Sequence, residues 1–164
     1  MVSISQPEIR TPRPQRVIYV ERQGTLDGNL GDSPMDAQNT LHLALDKQGL
    51  TNRISYGISM MPDGMGLDTT RAPRYRGGYV LTDDAPLPAD PDLQEGIFDA
   101  GKMAVFTYTG GWEGLGEAWG TVLGEAFPAS GFTMRPGTWF ETYLDDPSVT
   151  PTDQLRTEIC LPIE

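Results

Sequence analysis

Two runs decide the fold: Arg16-Val17-Ile18-Tyr19-Val20-Glu21-Arg22-Gln23, stopped by Gly24, and Met103-Ala104-Val105-Phe106-Thr107-Tyr108-Thr109, stopped by Gly110. Both are rich in β-branched and aromatic residues, and both end at a glycine, as strands do. A helix pattern follows each. After the first run, Ser33-Pro34-Met35-Asp36 reads as N-cap, helix-opening proline and first-turn acid. Ala37, Leu41, Ala44 and Leu45 then mark one helical face, and Gly49 is a terminator. After the second run, Leu115, Ala118, Trp119, Val122, Leu123 and Ala126 recur at helical spacing before Pro128. Helices are expected over about 35–48 and 112–126. Gly116, Gly120 and Gly124 form a smooth stripe on the second helix, suited to close packing of another backbone.

Each half then carries a strand ending at proline. Ile54–Met61 runs to Pro62, and Trp139–Asp146 runs to Pro147. A last strand follows in each, Tyr75–Leu81 and Leu155–Leu161, the second preceded by a short helical turn at Thr150-Pro151-Thr152-Asp153. Gly24 to Pro62 is 38 residues and Gly110 to Pro147 is 37. The chain therefore reads as one α+β domain, residues 1–164, of two tandem β-α-β-β repeats. Repeat one covers about 15–81, repeat two about 102–163, and 82–96 is a solvated acidic linker. Such repeats pair about a pseudo-two-fold axis into a curved antiparallel sheet, with helices on its outer face and a pocket between the halves. The expected core includes Val17, Tyr19, Leu41, Leu45, Leu115, Trp119, Val122, Phe140, Ile159 and Leu161; Val17/Tyr19 and Ile18/Val20 compete for the inward face.

Composition bounds the function. Gly and Pro make up 33 of 164 residues, which argues against a helical bundle. The net charge of -11 is lopsided: residues 1–80 carry nine Lys/Arg and eight Asp/Glu, residues 81–164 three and 15. A chain this acidic repels phosphate backbones, so direct nucleic-acid binding is not expected. One cysteine, Cys160, precludes an internal disulfide and fits a reducing cytoplasm; one histidine, His42, leaves no zinc-ligand set. No cofactor is expected. The first 16 residues, with three prolines and no apolar core, do not read as a signal peptide, and no apolar run exceeds four residues.

Strand alternation places Trp139, Glu141 and Tyr143 on one face, and Ile54, Tyr56, Ile58 and Met60 on one face of the matching strand. If both faces line the pocket, Glu141 sits among Trp139, Tyr143, Tyr56, Met60 and Trp112. An acid among aromatics suits a lipophilic cation. Alternation alone fits Glu141 in water equally well.

Phe140-Glu141-Thr142-Tyr143-Leu144-Asp145-Asp146-Pro147, with Pro151-Thr152-Asp153-Gln154-Leu155-Arg156-Thr157-Glu158-Ile159-Cys160-Leu161-Pro162-Ile163, resembles the C-terminus of GyrI-like small-molecule-binding domains. Met103–Trp112 is similar to the start of that family's second repeat. The family includes effector-binding domains of AraC- and MerR-type multidrug regulators and stand-alone DNA gyrase inhibitory proteins. The resemblance implies two strand–helix–strand–strand units around a central pocket, with a glutamate at Glu141 meeting cationic aromatic ligands. Ligand contacts are then expected from Glu141, Trp139, Tyr143, Tyr56, Met60, Tyr108 and Trp112. The chain departs from the family in having no helix-turn-helix, in carrying Met60-Met61 where the family has an acidic pair, and in the segments 25–33 and 63–74. Three functions compete: a binder that sequesters or senses an aromatic cation ranks first. A hydrolase of reactive cyclopropane-type electrophiles, with Glu141 as general base and Tyr108 and Trp112 orienting water and substrate, ranks second. An acidic inhibitor of gyrase ranks third.

Overall fold

β-Branched and aromatic runs form the strands, and glycine and proline punctuate them. The computed structural model describes residues 2–25, 30–64 and 70–164. Its strands are β1 (Ser3–Ile4), β2 (Glu8–Arg10), β3 (Gln15–Gln23), β4 (Ile54–Met61), β5 (Arg74–Leu81), β6 (Gln94–Phe98), β7 (Met103–Thr109), β8 (Trp139–Tyr143) and β9 (Arg156–Pro162). Helix α1 is Ser33–Gln48; a second helical stretch runs through a 3-10 turn (Trp112–Gly114), α2 (Leu115–Thr121), a π turn (Val122–Ala126) and α3 (Phe127–Ser130). Among the described residues no helix is long and apolar enough to cross a membrane.

All nine strands join one antiparallel sheet in the order β1-β7-β9-β8-β4-β5-β3-β6, with β2 also on β7. The order mirrors itself: β7-β9-β8 in one half faces β3-β5-β4 in the other. The halves meet where β4 pairs with β8, Ser59 opposite Glu141. The fold is thus α+β, with a curved antiparallel sheet built from two β-α-β-β arrangements.

The curvature follows from two short links. β6 and β7 lie six strand positions apart, yet residues 99–102 alone join them; 11–14 likewise join β2 to β3. Six strand spacings in a flat sheet span about 29 Å, whereas five peptide steps reach at most about 18 Å. The sheet must curl. The Phe98 and Phe140 rings meet edge-on at 5.0 Å although their strands are four positions apart, so the curl is toward their face. Arg135 pins one link, donating from Nη2 to the carbonyls of Ala100 (2.7 Å) and Lys102 (3.0 Å) and from Nε to Ile163 (3.0 Å).

Both faces of the sheet are covered. The helix side buries Ile18, Val20, Leu41, Leu45, Phe106, Trp119, Val122, Ile159 and Leu161. The concave side buries Val17, Ile58, Met60, Val80, Val105, Phe140 and Cys160. Both alternatives for β3 therefore hold, with Val17 facing inward to the curl and Ile18 and Val20 facing the helices; Tyr19 and Leu115 are only half-buried.

Several expectations need correction. The second helix continues past Pro128 to Ser130. The π turn makes this possible, since the Phe127 amide reaches back five residues to Val122 O, widening the helix just before the proline ring. At Gly116, Gly120 and Gly124 a Cβ would meet nothing within 4 Å, so the stripe faces open space. The acidic segment 82–96 is tied down: Arg53 pairs with Asp83 (2.8 Å), Arg16 donates to Ala85 O (2.7 Å), and the segment's end enters β6. The N-terminal residues add β1 and β2 to the β7 edge. Of the two departing segments, residues 26–29 and 65–69 lie outside the described residues.

Candidate functional site

Curling away from the helices spreads them apart. Helix α1 rests on β3 and β5. The other helical stretch packs Ala118, Trp119 and Val122 into the core beside Phe106 and Ile159 of the second half. Between them run β4 and β8, whose helix-side residues are Gly57, Ser59 and Met61 opposite Tyr143, Glu141 and Trp139. Gly57 leaves room for the Tyr143 ring there, since a Cβ would stand 3.0 Å from it.

Glu141 is the chemical centre of this strip. Its side chain is buried, at 9% exposure. The indole N–H of Trp119 donates to Oε1, and the Tyr143 hydroxyl donates to Oε2 at 2.6 Å. Both donors are neutral, and among the described residues no Lys or Arg pairs with this carboxylate. Burial raises the carboxyl above its ordinary range, and the Tyr143 and Trp119 hydrogen bonds only partly oppose that. Burial, reinforced by Glu141, pushes the Tyr143 hydroxyl well above its usual value.

A chain of donors extends from Glu141 into the first half. Ser59 Oγ lies 2.6 Å from the Tyr143 hydroxyl and 2.7 Å from that of Tyr75, to which Gln38 Nε2 donates at 3.3 Å. Each hydroxyl carries one proton. With Tyr143 donating to the carboxylate, Ser59 must donate to Tyr143 and Tyr75 to Ser59. Four donors then point one way and end on Glu141, a polarised network in a low-dielectric site.

Aromatic rings wall the strip. Trp119 stacks on Trp139, with centroids 6.0 Å apart and planes within 12°. Trp112 meets Tyr143 edge-on at 5.6 Å and keeps 45% of its surface exposed. Tyr108 donates to Gly111 O at 2.9 Å, holding the turn that carries Trp112. The sequence thus brings Glu141, Trp139, Tyr143, Trp112 and, behind the turn, Tyr108 to one face.

Tyr56 and Met60 do not join them. They lie on the concave face, where the Tyr56 hydroxyl donates to Gln15 (2.9 Å) and Met60 packs beside Phe140. The β4–β8 register sets this: Met60 pairs with Phe140 and Ile58 with Thr142, so odd-numbered residues of β4 share the face of Glu141. Sequence reasoning missed Ser59, Tyr75 and Gln38, and gave Trp119 only a core role. A serine at helix-side register beside the strand glycine was the available signal for Ser59; Tyr75 and Gln38 carried none.

The concave face has its own cavity of about 80 Å³, lined by Tyr56, Phe98, Phe140, Thr142, Glu158 and Cys160 among others. Its polar groups satisfy one another, with Thr142 (2.9 Å) and Arg10 (2.5 Å) both donating to Glu158. His42, on α1, shares a hydrogen bond with the Tyr79 hydroxyl (3.1 Å). Among the described residues no three His, Cys, Asp or Glu side chains are placed to hold a metal ion.

Comparison with known proteins adds the family. Residues 5–164 match the family described as GyrI-like small molecule binding domain. Three solved structures share the fold. The EcmrR C-terminal domain is 11% identical with a TM-score of 0.65, covering 100% of this chain and 98% of that one. SAV2435 bound to tetraphenylphosphonium is 15% identical with a TM-score of 0.63, covering 98% and 94%. A hydrolase from Listeria innocua is 14% identical with a TM-score of 0.62, covering 97% and 92%. A search of curated protein sequences found no match.

Proposed function

The chain belongs to the GyrI-like family of small-molecule-binding domains, and from that premise we propose that it binds a lipophilic aromatic cation on the sheet strip between its two helical stretches. The observation that carries this reading is the buried Glu141 carboxylate, hydrogen-bonded among the described residues to the neutral donors Trp119 and Tyr143. An ionised acid in such surroundings costs desolvation energy, and a cation among the rings would relieve it. Trp112, Tyr143, Trp139 and Trp119 would supply flat, polarisable walls, each ring adding about 0.5–2 kcal/mol of cation–π attraction. That SAV2435 binds tetraphenylphosphonium fits the same chemistry. In this reading Tyr56 and Met60 act from behind, as packing of the sheet.

The test is Glu141→Gln, which keeps shape and removes charge. Affinity for tetraphenylphosphonium, followed by tryptophan quenching, should fall about 100-fold. Tetraphenylmethane, the neutral shape analogue, should change far less. Equal loss for both would make Glu141 a structural residue and overturn the reading.

One observation favours a second reading. The raised carboxyl of Glu141, joined to three hydroxyls in series, can take and pass on a proton, as a hydrolase's general base must. Turnover of an electrophilic aromatic substrate that collapses in Glu141→Gln while binding survives would replace the binder with the enzyme.

A further inference from the structure

Thr157 on β9 is fully buried, and its hydroxyl has no hydrogen-bond partner among the described residues. Other buried side-chain oxygens along this strip are paired: Ser59, Tyr75, Tyr143, Tyr108 and Glu141 each have a partner. A buried hydroxyl without a partner carries a free-energy cost, so native proteins keep few of them.

Its position points to a ligand. Thr157 pairs with Tyr108 of β7 on one side and Tyr143 of β8 on the other. Alternation places it on the helix side with Ile159 and Leu161, between those two tyrosines in the sheet. Glu141 pairs with Ile159, so Thr157 is its diagonal neighbour, about 7–8 Å away on the same face. The turn that Tyr108 anchors lies over this end of the strip, and its Trp112 ring rests edge-on against Tyr143 while half exposed. Trp112 is thus an exposed large side chain in contact with Tyr143, the strand neighbour of Thr157.

We propose that Thr157 is a specificity-determining residue, which hydrogen-bonds a polar substituent of an aromatic cation whose charge lies at Glu141. This rests on the cation-binding reading above and narrows the ligand class to aromatic cations bearing a hydroxyl, carbonyl or amine. A ligand group reaching Thr157 gains a hydrogen bond and removes the cost of the unpaired hydroxyl, and an analogue lacking that group gains neither.

The experiment uses two matched probes, tetraphenylphosphonium and (4-hydroxyphenyl)triphenylphosphonium, on the full chain and on Thr157→Val. Valine keeps the shape and strand propensity of threonine. The wild-type protein should bind the hydroxylated probe about tenfold more tightly than its parent. In Thr157→Val that preference should vanish, with affinity for the parent unchanged. No preference in the wild type, or a preference that survives in Thr157→Val, overturns the proposal while cation binding stands. Failure of both probes to bind the wild type overturns the cation-binding reading and this proposal together.

Discussion

Tyr143 donates its hydroxyl to Oε2 of Glu141, two residues away on the same strand, at 2.6 Å. Two side chains at i and i+2 share one face of a strand, so a single stretch of sequence supplies both the buried acid and its donor. The pair is the meeting point of the two halves, because Ser59 from the first half bonds the same hydroxyl at 2.6 Å.

The raised carboxyl of Glu141 makes stability fall as pH rises. Below the ordinary carboxyl range, about pH 4, the group is protonated both folded and unfolded, and its contribution to stability is complete. As pH climbs through the raised folded-state value, the unfolded chain ionises more readily, and that contribution is lost. Glu141→Gln should therefore gain stability relative to wild type as pH rises from about 4 to 7, and the difference should shrink toward pH 4. Thermal melts at the two pH values check this, with about 2–4 °C expected per kcal/mol.

Ser59→Ala should destabilise by about 1–3 kcal/mol in urea unfolding, since it strips a partner from both Tyr143 and Tyr75. Ser59→Thr keeps the hydroxyl and should recover part of the loss. A Ser59→Ala protein as stable as wild type would mean that the donor chain is not formed.

Gly78 and Gly120 should respond to alanine with opposite signs. A Cβ at Gly78 would stand 2.3 Å from Ile18 O and 2.9 Å from Tyr19 Cβ, backbone and rigid strand neighbours that cannot yield cheaply. Gly78→Ala should cost about 3 kcal/mol. At Gly120 a Cβ meets nothing within 4 Å, so Gly120→Ala should add up to about 1 kcal/mol through helix propensity. Paired melting curves distinguish the two.

Cys160 should stay unreactive in the native state. It is buried on the concave face, and burial pushes its thiol well above the ordinary value. Labelling with a thiol reagent should be negligible until denaturant unfolds the chain. Rapid labelling without denaturant would show that the concave cavity opens.

The sequence by itself determined the repeated strand–helix–strand–strand order, the glycine stop of α1, and the common face of Trp139, Glu141 and Tyr143. Those features rest on local signals: turn residues, and the two-residue and 3.6-residue periods. The tertiary structure decided which residues meet that face. Sliding β4 by one residue against β8 would have brought Tyr56, Ile58 and Met60 beside Glu141 in place of Gly57, Ser59 and Met61. Alternation within β4 separates Ile54, Tyr56, Ile58 and Met60 from Ser55, Gly57, Ser59 and Met61, but in a sheet covered on both sides both faces are buried, so polarity does not say which of them meets Glu141. Trp119 likewise reads as a core residue from its helical spacing, and it is one. Its indole N–H reaches Glu141 only because the helical stretch docks across β8, 22 residues along the chain. The curl that separates the helices comes from the links at 11–14 and 99–102, whose shortness matters only once the strand order is fixed.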